Sequence, residues 1–442
     1  MWPPFDTKDI YMLTSKPRLV CTAVLSLLSS MAWAVDFGPF TLTGFAKYEF
    51  SRSSNQCIDC QLYANEDRQR SWADAIAPGK TYGARDGSTS LFQPYIGTQQ
   101  FDIGKGFKIS GLLSQRWRDG RIDIPGVYYE RNAKIEHEDY GTVQVGAFPT
   151  RAWSVADYPY GTKVGVADAW GASGSGYGLL THAIRYTSRQ YDVYGGDLRL
   201  EYTYDGGDTG FTRLKPSFHE VYAQYVKGDL VLDVMAQDAT NGLPSAWTHG
   251  PFRGIVNQAS DEATAVANGM QSNHQKLLMA MARYQYNSKT ELSGGIRKNY
   301  WSGAKAVTLG TTSSGDYIWN NMFNYNWTSG NAHAADSIDI LLGMRYRLDA
   351  KWTLSSGLVY LGKANTDNPV ERGQSNSMML NTIGLGYEVE PGFTIYGFGG
   401  MVHYKNLGLA PLSMPSHTSF SGVDSRVSTS GNWLGVGAVY TF

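Results

Sequence analysis

From Trp433 to Phe442 the chain alternates in side-chain character, residue by residue. Leu434, Val436, Ala438, Tyr440 and Phe442 fall on one side of an extended strand. Trp433, Gly435, Gly437, Val439 and Thr441 fall on the other, since successive side chains of a strand point to opposite faces. An apolar outer face that ends on a bare aromatic is unfavourable against water. A closed barrel in lipid requires such a face, with aromatics at each interface.

The same two-residue period recurs in about sixteen segments of roughly 9–14 residues. They lie near 39–51, 91–103, 106–118, 126–138, 141–149, 181–189, 196–205, 216–227, 229–238, 274–287, 289–301, 336–349, 351–363, 376–389, 392–404 and 431–442. Short turns close every second junction, as in Asp102-Ile-Gly-Lys-Gly106, Glu138-Asp-Tyr-Gly141, Lys227-Gly-Asp229, Asn287-Ser-Lys289 and Glu390-Pro-Gly392. Long polar segments lie between them, at 52–90, 150–180, 239–273, 302–335 and 405–430. The fold class implied is all-β, a transmembrane antiparallel β-barrel with short periplasmic turns and long extracellular loops. Hairpins within 52–90 and 239–273 would raise the count to eighteen strands.

The two faces agree with this reading. In the first segment Phe40, Leu42, Gly44, Ala46, Tyr48 and Phe50 would meet lipid, and Thr41, Thr43, Lys47, Glu49 and Ser51 the lumen, with Phe45 the exception. A charge at the lipid midplane costs about 2–4 kcal/mol, so this register is imposed by energy. Strands 2 and 15 alternate poorly, and Arg131 falls on the outer face, where a subunit contact or a slipped register would accommodate it. Aromatics cluster at the strand ends, with Tyr204, Trp117, Trp301 and Tyr404 towards the loops, as in interfacial girdles.

The amino terminus reads as an export signal. Lys16 and Arg18 precede an apolar run from Leu19 to Leu28, and Ala32-Trp33-Ala34 forms an A-x-A-like cleavage site. Residues 1–34 are therefore expected to be a signal peptide, with Met12 a better start than Met1, and residues 35–442 the barrel. The run is shorter than the ~20 apolar residues of a spanning helix. Cys21 lacks the small preceding residue of a lipoprotein signal and belongs to the apolar run. The remaining cysteines, Cys57 and Cys60, are an even pair for an oxidising compartment, and a small disulfide is expected. No metal site is expected, since zinc takes about four ligands and no histidine lies near that pair in sequence. The formal net charge of −1 argues against nucleic acid, which leaves a basic footprint. Neither a nucleophile elbow nor H-E-x-x-H is present, so no enzyme and no cofactor are expected.

Several segments resemble the sixteen-stranded trimeric general porins of Gram-negative outer membranes. They are Leu42-Thr-Gly-Phe-Ala-Lys47, Asp139-Tyr-Gly-Thr-Val-Gln-Val-Gly146, His182-Ala-Ile-Arg-Tyr-Thr-Ser188 and the ending with Tyr440 and Phe442, which resembles an outer-membrane assembly signal. The resemblance implies a homotrimer in that membrane, in contact with its lipid and lipopolysaccharide and folded by the barrel-assembly machinery. It implies a water-filled channel for passive diffusion of small hydrophilic solutes and ions. The loop between strands five and six, near 150–180, would enter the lumen as a constriction. Its acids Asp157 and Asp168 would oppose basic residues of the facing wall: Lys47, Lys108, Arg116, Arg118 and Lys134. The acidic Pro-Glu-Phe-Gly-Gly type loop motif of general porins is absent, which favours a neutral or mildly anion-preferring pore. Two other readings remain at this stage. One is a substrate-selective channel in which Trp153, Tyr158, Tyr160 and Trp170 form a stacking slide. The other is a surface-binding barrel, a receptor or adhesin, with a plugged pore.

Overall fold

Strands with one apolar and one polar face leave no unpaired edge only if the sheet closes on itself. The computed structural model shows that closure. It describes residues 34–57, 82–122, 129–155, 158–160, 170, 178–207, 212–213, 215–240, 247–248, 263, 273–303, 333–363, 365–366, 377–405 and 429–442. The wall consists of β1 (Phe40–Cys57), β2 (Tyr82–Thr98), β3 (Phe107–Ser114), β4 (Glu130–His137), β5 (Gly141–Pro149), β6 (Gly178–Thr187), β7 (Gly196–Asp205) and β8 (Ser217–Lys227). It continues with β9 (Leu230–Thr240), β10 (Asn273–Gln285), β11 (Thr290–Gly303), β12 (His333–Arg347), β13 (Trp352–Leu361), β14 (Met378–Glu390), β15 (Phe393–Tyr404) and β16 (Ser430–Thr441). Consecutive strands pair antiparallel. The barrel shuts where β16 meets β1, with Phe45 opposite Thr441 and Ser53 opposite Trp433.

Each of the sixteen expected segments falls on one of these strands. The first connection is shorter than expected because β1 runs on to Cys57 and β2 starts at Tyr82. At the seam the Gly44 N–H donates to the Phe442 carbonyl at 2.7 Å, and the Phe442 N–H donates back at 3.0 Å. A Cβ on Gly44 would lie 2.8 Å from the Phe442 ring and 2.6 Å from the Gln93 carbonyl, so only glycine fits there. Phe442 stacks on Phe92 and on Tyr440.

Side-chain exposure reproduces the expected register. Leu434, Val436, Leu278, Ile296, Ile338 and Ile383 stand exposed on the outside. Their neighbours Trp433, Leu277, Arg297, Asp339 and Thr382 are buried inside. Phe45 faces inward, as the exception in the first segment implied. The poor alternation of β2 and β15 has a simple cause: Leu91, Tyr396 and Phe398 point inward opposite the outward Phe92 and Ile395. Tyr404 departs from the expected girdle. It faces the interior and is fully buried, because it shares parity with Tyr396, Phe398 and Val402.

The outward apolar belt has a sharp upper limit on one side of the barrel. Tyr204, His219, Asp238, Lys276, Tyr300 and Asp336 stand in register across β7 to β12. Lys276 pairs with Asp238 at 3.0 Å. On β10 the belt runs from Lys276 down to Tyr284. Eight residues at about 3.3 Å each and a tilt of about 40° make it roughly 20 Å tall, close to the ~25 Å of a membrane barrel. Among the described residues no helix is long and apolar enough to cross a membrane.

Candidate pore constriction

The connection between β5 and β6 turns into the barrel. Its root is closed by the Thr150 N–H donating to the Gly178 carbonyl at 3.0 Å. The short helix α1 (Arg151–Ser154) follows at once. Arg151 reaches the inner wall and donates from Nε and Nη2 to the Glu201 carboxylate, both at 2.5 Å. Glu220 accepts the Arg151 backbone N–H at 2.9 Å, Arg185 Nη2 at 3.3 Å and Gln237 Nε2 at 2.5 Å. A buried carboxylate is tolerable only when paired and hydrogen-bonded, and both of these are. Burial opposes the charge of Arg151. The hydrogen bond and charge of Glu201, with Glu220 behind it, overcome that and raise its pKa.

Further along, the chain crosses to the far wall. Tyr158, Pro159 and Tyr160 are buried. Tyr158 Oη donates to Asp233 Oδ2 on β9 at 2.8 Å. The same carboxylate accepts from Tyr222 Oη at 2.6 Å and Gln224 Nε2 at 2.9 Å. The Arg283 guanidinium lies 5.0 Å from the centre of the Tyr158 ring. Tyr160 Oη donates to Thr382 Oγ1 on β14 at 2.8 Å. Burial pushes the Tyr160 phenol up to about 12, against the hydrogen bonds at Thr382 and the Gly357 backbone. Burial, then the Asp233 carboxylate, raise the Tyr158 phenol as well.

Trp170 makes a second anchor. It has no exposed surface. Its Nε1 donates to Met281 Sδ at 3.2 Å, and the Arg297 guanidinium sits 4.4 Å from the ring centre. Arg297 Nη1 donates to the Trp170 carbonyl at 2.9 Å, while its Nε donates to Asp339 at 3.0 Å.

This docking divides the lumen into two unlike halves. On β9 to β16 and on into β1 and β2, many inward side chains are apolar and buried, among them Met235, Met279, Leu341, Leu380, Val402 and Trp433. The loop aromatics pack into that half. Across β3 to β7 the inward positions are largely polar; Ser114, Arg185, Glu201 and Thr203 are buried towards the loop root, and Lys108, Ser110, Lys134, Glu136, Gln144 and Arg199 reach water. Tyr158, Pro159, Tyr160 and Trp170 dock on the apolar half, across the lumen from the exposed polar side chains of β3 to β7.

The predicted site residues are scattered over this plan. Lys108 and Lys134 face inward and are exposed. Lys47 faces inward but pairs with Glu49 at 3.4 Å. Arg118 is half-buried beside Leu91. Arg116 is 8% exposed, with its guanidinium 5.0 Å from the Tyr129 ring and 5.9 Å from the Trp153 ring. It braces the loop root there. Asp157, Asp168, Cys60 and the export signal lie outside the described residues, as does the side chain of Cys57. Tyr158, Tyr160 and Trp170 do not form a stacking slide: they are turned into the wall. The buried pairs around Glu201, Glu220, Asp233 and Asp339 escaped the sequence reading. Their inward parity was visible, but nothing local indicated which loop residue each would meet.

No family model and no curated protein matches the chain. Solved structures do. The anion-selective porin from Comamonas acidovorans aligns at a TM-score of 0.56 and 12% identity, over 91% of this chain and 99% of that one. The outer membrane channel DcaP of Acinetobacter baumannii aligns at 0.56 and 11%, over 91% and 97%. OmpF of Salmonella typhi aligns at 0.52 and 11%, over 93% and 100%. By fold, this chain is a closed sixteen-stranded antiparallel barrel of the kind seen in these outer-membrane porins and channels.

Proposed function

We propose that this protein is a passive diffusion channel of a Gram-negative outer membrane, passing small hydrophilic solutes and ions. The observation that carries the reading is the row of exposed, inward polar side chains on β3 to β7, which we take as a hydrated lane, facing a wall on which Tyr158, Pro159, Tyr160 and Trp170 are anchored. Solutes move down their gradient through that lane. The side chains there, Lys108, Lys134 and Glu136 among them, replace part of the hydration shell that a solute sheds. No bond is made or broken, and no cofactor or metal takes part. Export by the amino-terminal signal, folding by the barrel-assembly machinery and contact with outer-membrane lipid and lipopolysaccharide belong to the same reading.

The channel works as a homotrimer. Support comes from the outer face of β4 to β6, where the wall is low. Arg131 points outward six residues above His137, which lies in an aromatic cluster with Phe107 and Tyr140. At about 3.3 Å per residue and a tilt of about 40°, that is roughly 15 Å up, within a belt of ~25 Å. A groove of about 620 Å³ opens beside it, lined by Arg131, Gly146, Thr181, His182 and Ile184. Lipid tails solvate neither an arginine nor a histidine, whereas neighbouring copies of the chain can.

Single-channel recording in planar bilayers tests the channel reading. Stepwise insertions with ohmic current that does not saturate with salt support it. Silence from a correctly folded barrel refutes it, and complete block by one solute class points to a selective channel instead.

A further inference from the structure

The wall under the loop is unusually bare. Gly295 on β11, Gly343 on β12, Gly357 on β13 and Gly384 on β14 all face inward beneath it. Glycine within a strand weakens it and commonly marks a place where another piece of backbone comes close. Here that piece can be identified. A Cβ on Gly343 would lie 2.9 Å from Pro159 Cβ, and one on Gly357 would lie 3.1 Å from Pro159 Cδ. A Cβ on Gly384 would stand 3.1 Å from Tyr160 Cε1, and one on Gly295 would stand 2.9 Å from Trp170 Cζ2. Two residues below Gly384 on the same strand, Gly386 meets only ordinary contacts, the nearest 3.6 Å away at Thr394.

We propose that Gly295, Gly343, Gly357 and Gly384 are positioning residues that form a seat for the constriction loop and so set the width of the pore. The proposal rests on the diffusion-channel reading. The four missing side chains let Pro159, Tyr160 and Trp170 sink into the wall by the thickness of a methyl group. The hydroxyl bonds to Asp233 and Thr382 and the stack with Arg297 then hold them there. The seat lies opposite the polar lane. Anything that lifts the loop from it moves the loop towards the lane and narrows it. The solute size limit is therefore written on β11 to β14, across the lumen from the polar side chains of β3 to β7.

The test compares Gly384→Val with Gly386→Val, each checked for folding by its heat-modifiable gel shift. Gly384→Val should lower single-channel conductance by about twofold or more, since flow through a narrow neck follows its cross-section. It should also slow entry of the larger sugars in liposome swelling. Gly386→Val should match the wild type. Adding Tyr160→Ala to Gly384→Val should restore conductance by vacating the space. Hydrogen exchange of the amides at 151–160 provides a readout independent of current. These amides should be protected in the wild type and lose protection about tenfold in Gly384→Val, but not in Gly386→Val. If Gly384→Val does not fold, Gly384→Ala and Gly357→Ala replace it. Folded Gly384→Val with unchanged conductance and unchanged exchange overturns the proposal. A silent wild type overturns the channel reading alone, and exchange then decides whether the seat exists.

Discussion

Arg131 provides the strongest test of how this barrel is assembled. It faces outward about 15 Å above the lower aromatic cluster, by strand rise and tilt. At that depth an arginine in contact with lipid destabilises a barrel by about 2–4 kcal/mol. That is roughly 30- to 700-fold in the folding equilibrium, at about 1.4 kcal/mol per tenfold. Replacement by leucine separates two situations. In a lipid-facing position, Arg131→Leu recovers that energy and raises the unfolding free energy measured by urea titration in vesicles. In a subunit contact it removes a buried polar group from an interface. The trimer band on an unheated gel, and the mass by light scattering in detergent, should then fall towards the monomer. We expect the second outcome. Arg131→Glu, which inverts the charge next to His182, should weaken the trimer further. A stabilised barrel with an unchanged oligomer would refute the reasoning.

The other predictions concern the loop and the lane. Arg151→Ala removes the main partner of Glu201 and should cost about 1–3 kcal/mol, less than a fully buried pair because Arg151 is a quarter exposed, read from the urea midpoint. Asp233→Leu orphans the hydroxyls of Tyr158 and Tyr222, at about 1–3 kcal/mol each, and should release the amides near 158 to exchange. The Tyr160 phenol ionises near 10 in the unfolded chain and near 12 in the folded one. Its contribution is therefore complete below pH 10 and is lost as pH rises through about 12. Protection at 151–160 should show an alkaline step in the wild type that Tyr160→Phe lacks. Arg118→Glu should shift the reversal potential in a salt gradient towards cations. Arg116→Glu, placed between Tyr129 and Trp153, should chiefly lower stability; equal shifts from both would mean that Arg116 also lines the lane.

How much of this was legible beforehand follows from the range of the forces involved. Alternation is a property of neighbours along the chain, and the penalty for turning Arg345 or Asp339 towards lipid acts on each strand separately. The sixteen segments, most of their inward faces and the long connection after β5 were therefore readable from order alone, while the absence of two further wall strands, which would have made eighteen, followed only from the closed pairing. The site depended on contacts across the lumen. Arg116 shared the parity of a pore-lining residue, yet Tyr129 and Trp153 close over it. Tyr158, Tyr160 and Trp170 had the composition of a stacking slide, yet the wall beneath them is glycine and they sink into it.

Sequence by itself decided that this chain is a barrel and which side of most strands meets lipid, because those choices are made residue by residue against a fixed solvent; sixteen strands rather than eighteen was settled by the pairing. Only the tertiary structure decided where Pro159, Tyr160 and Trp170 dock. That depended on the loop finding an apolar half with room for it, and the room consists of side chains missing from four strands far away in sequence. Such a vacancy has no periodicity and no local propensity. It acquires meaning when Pro159 and Tyr160 arrive to fill it.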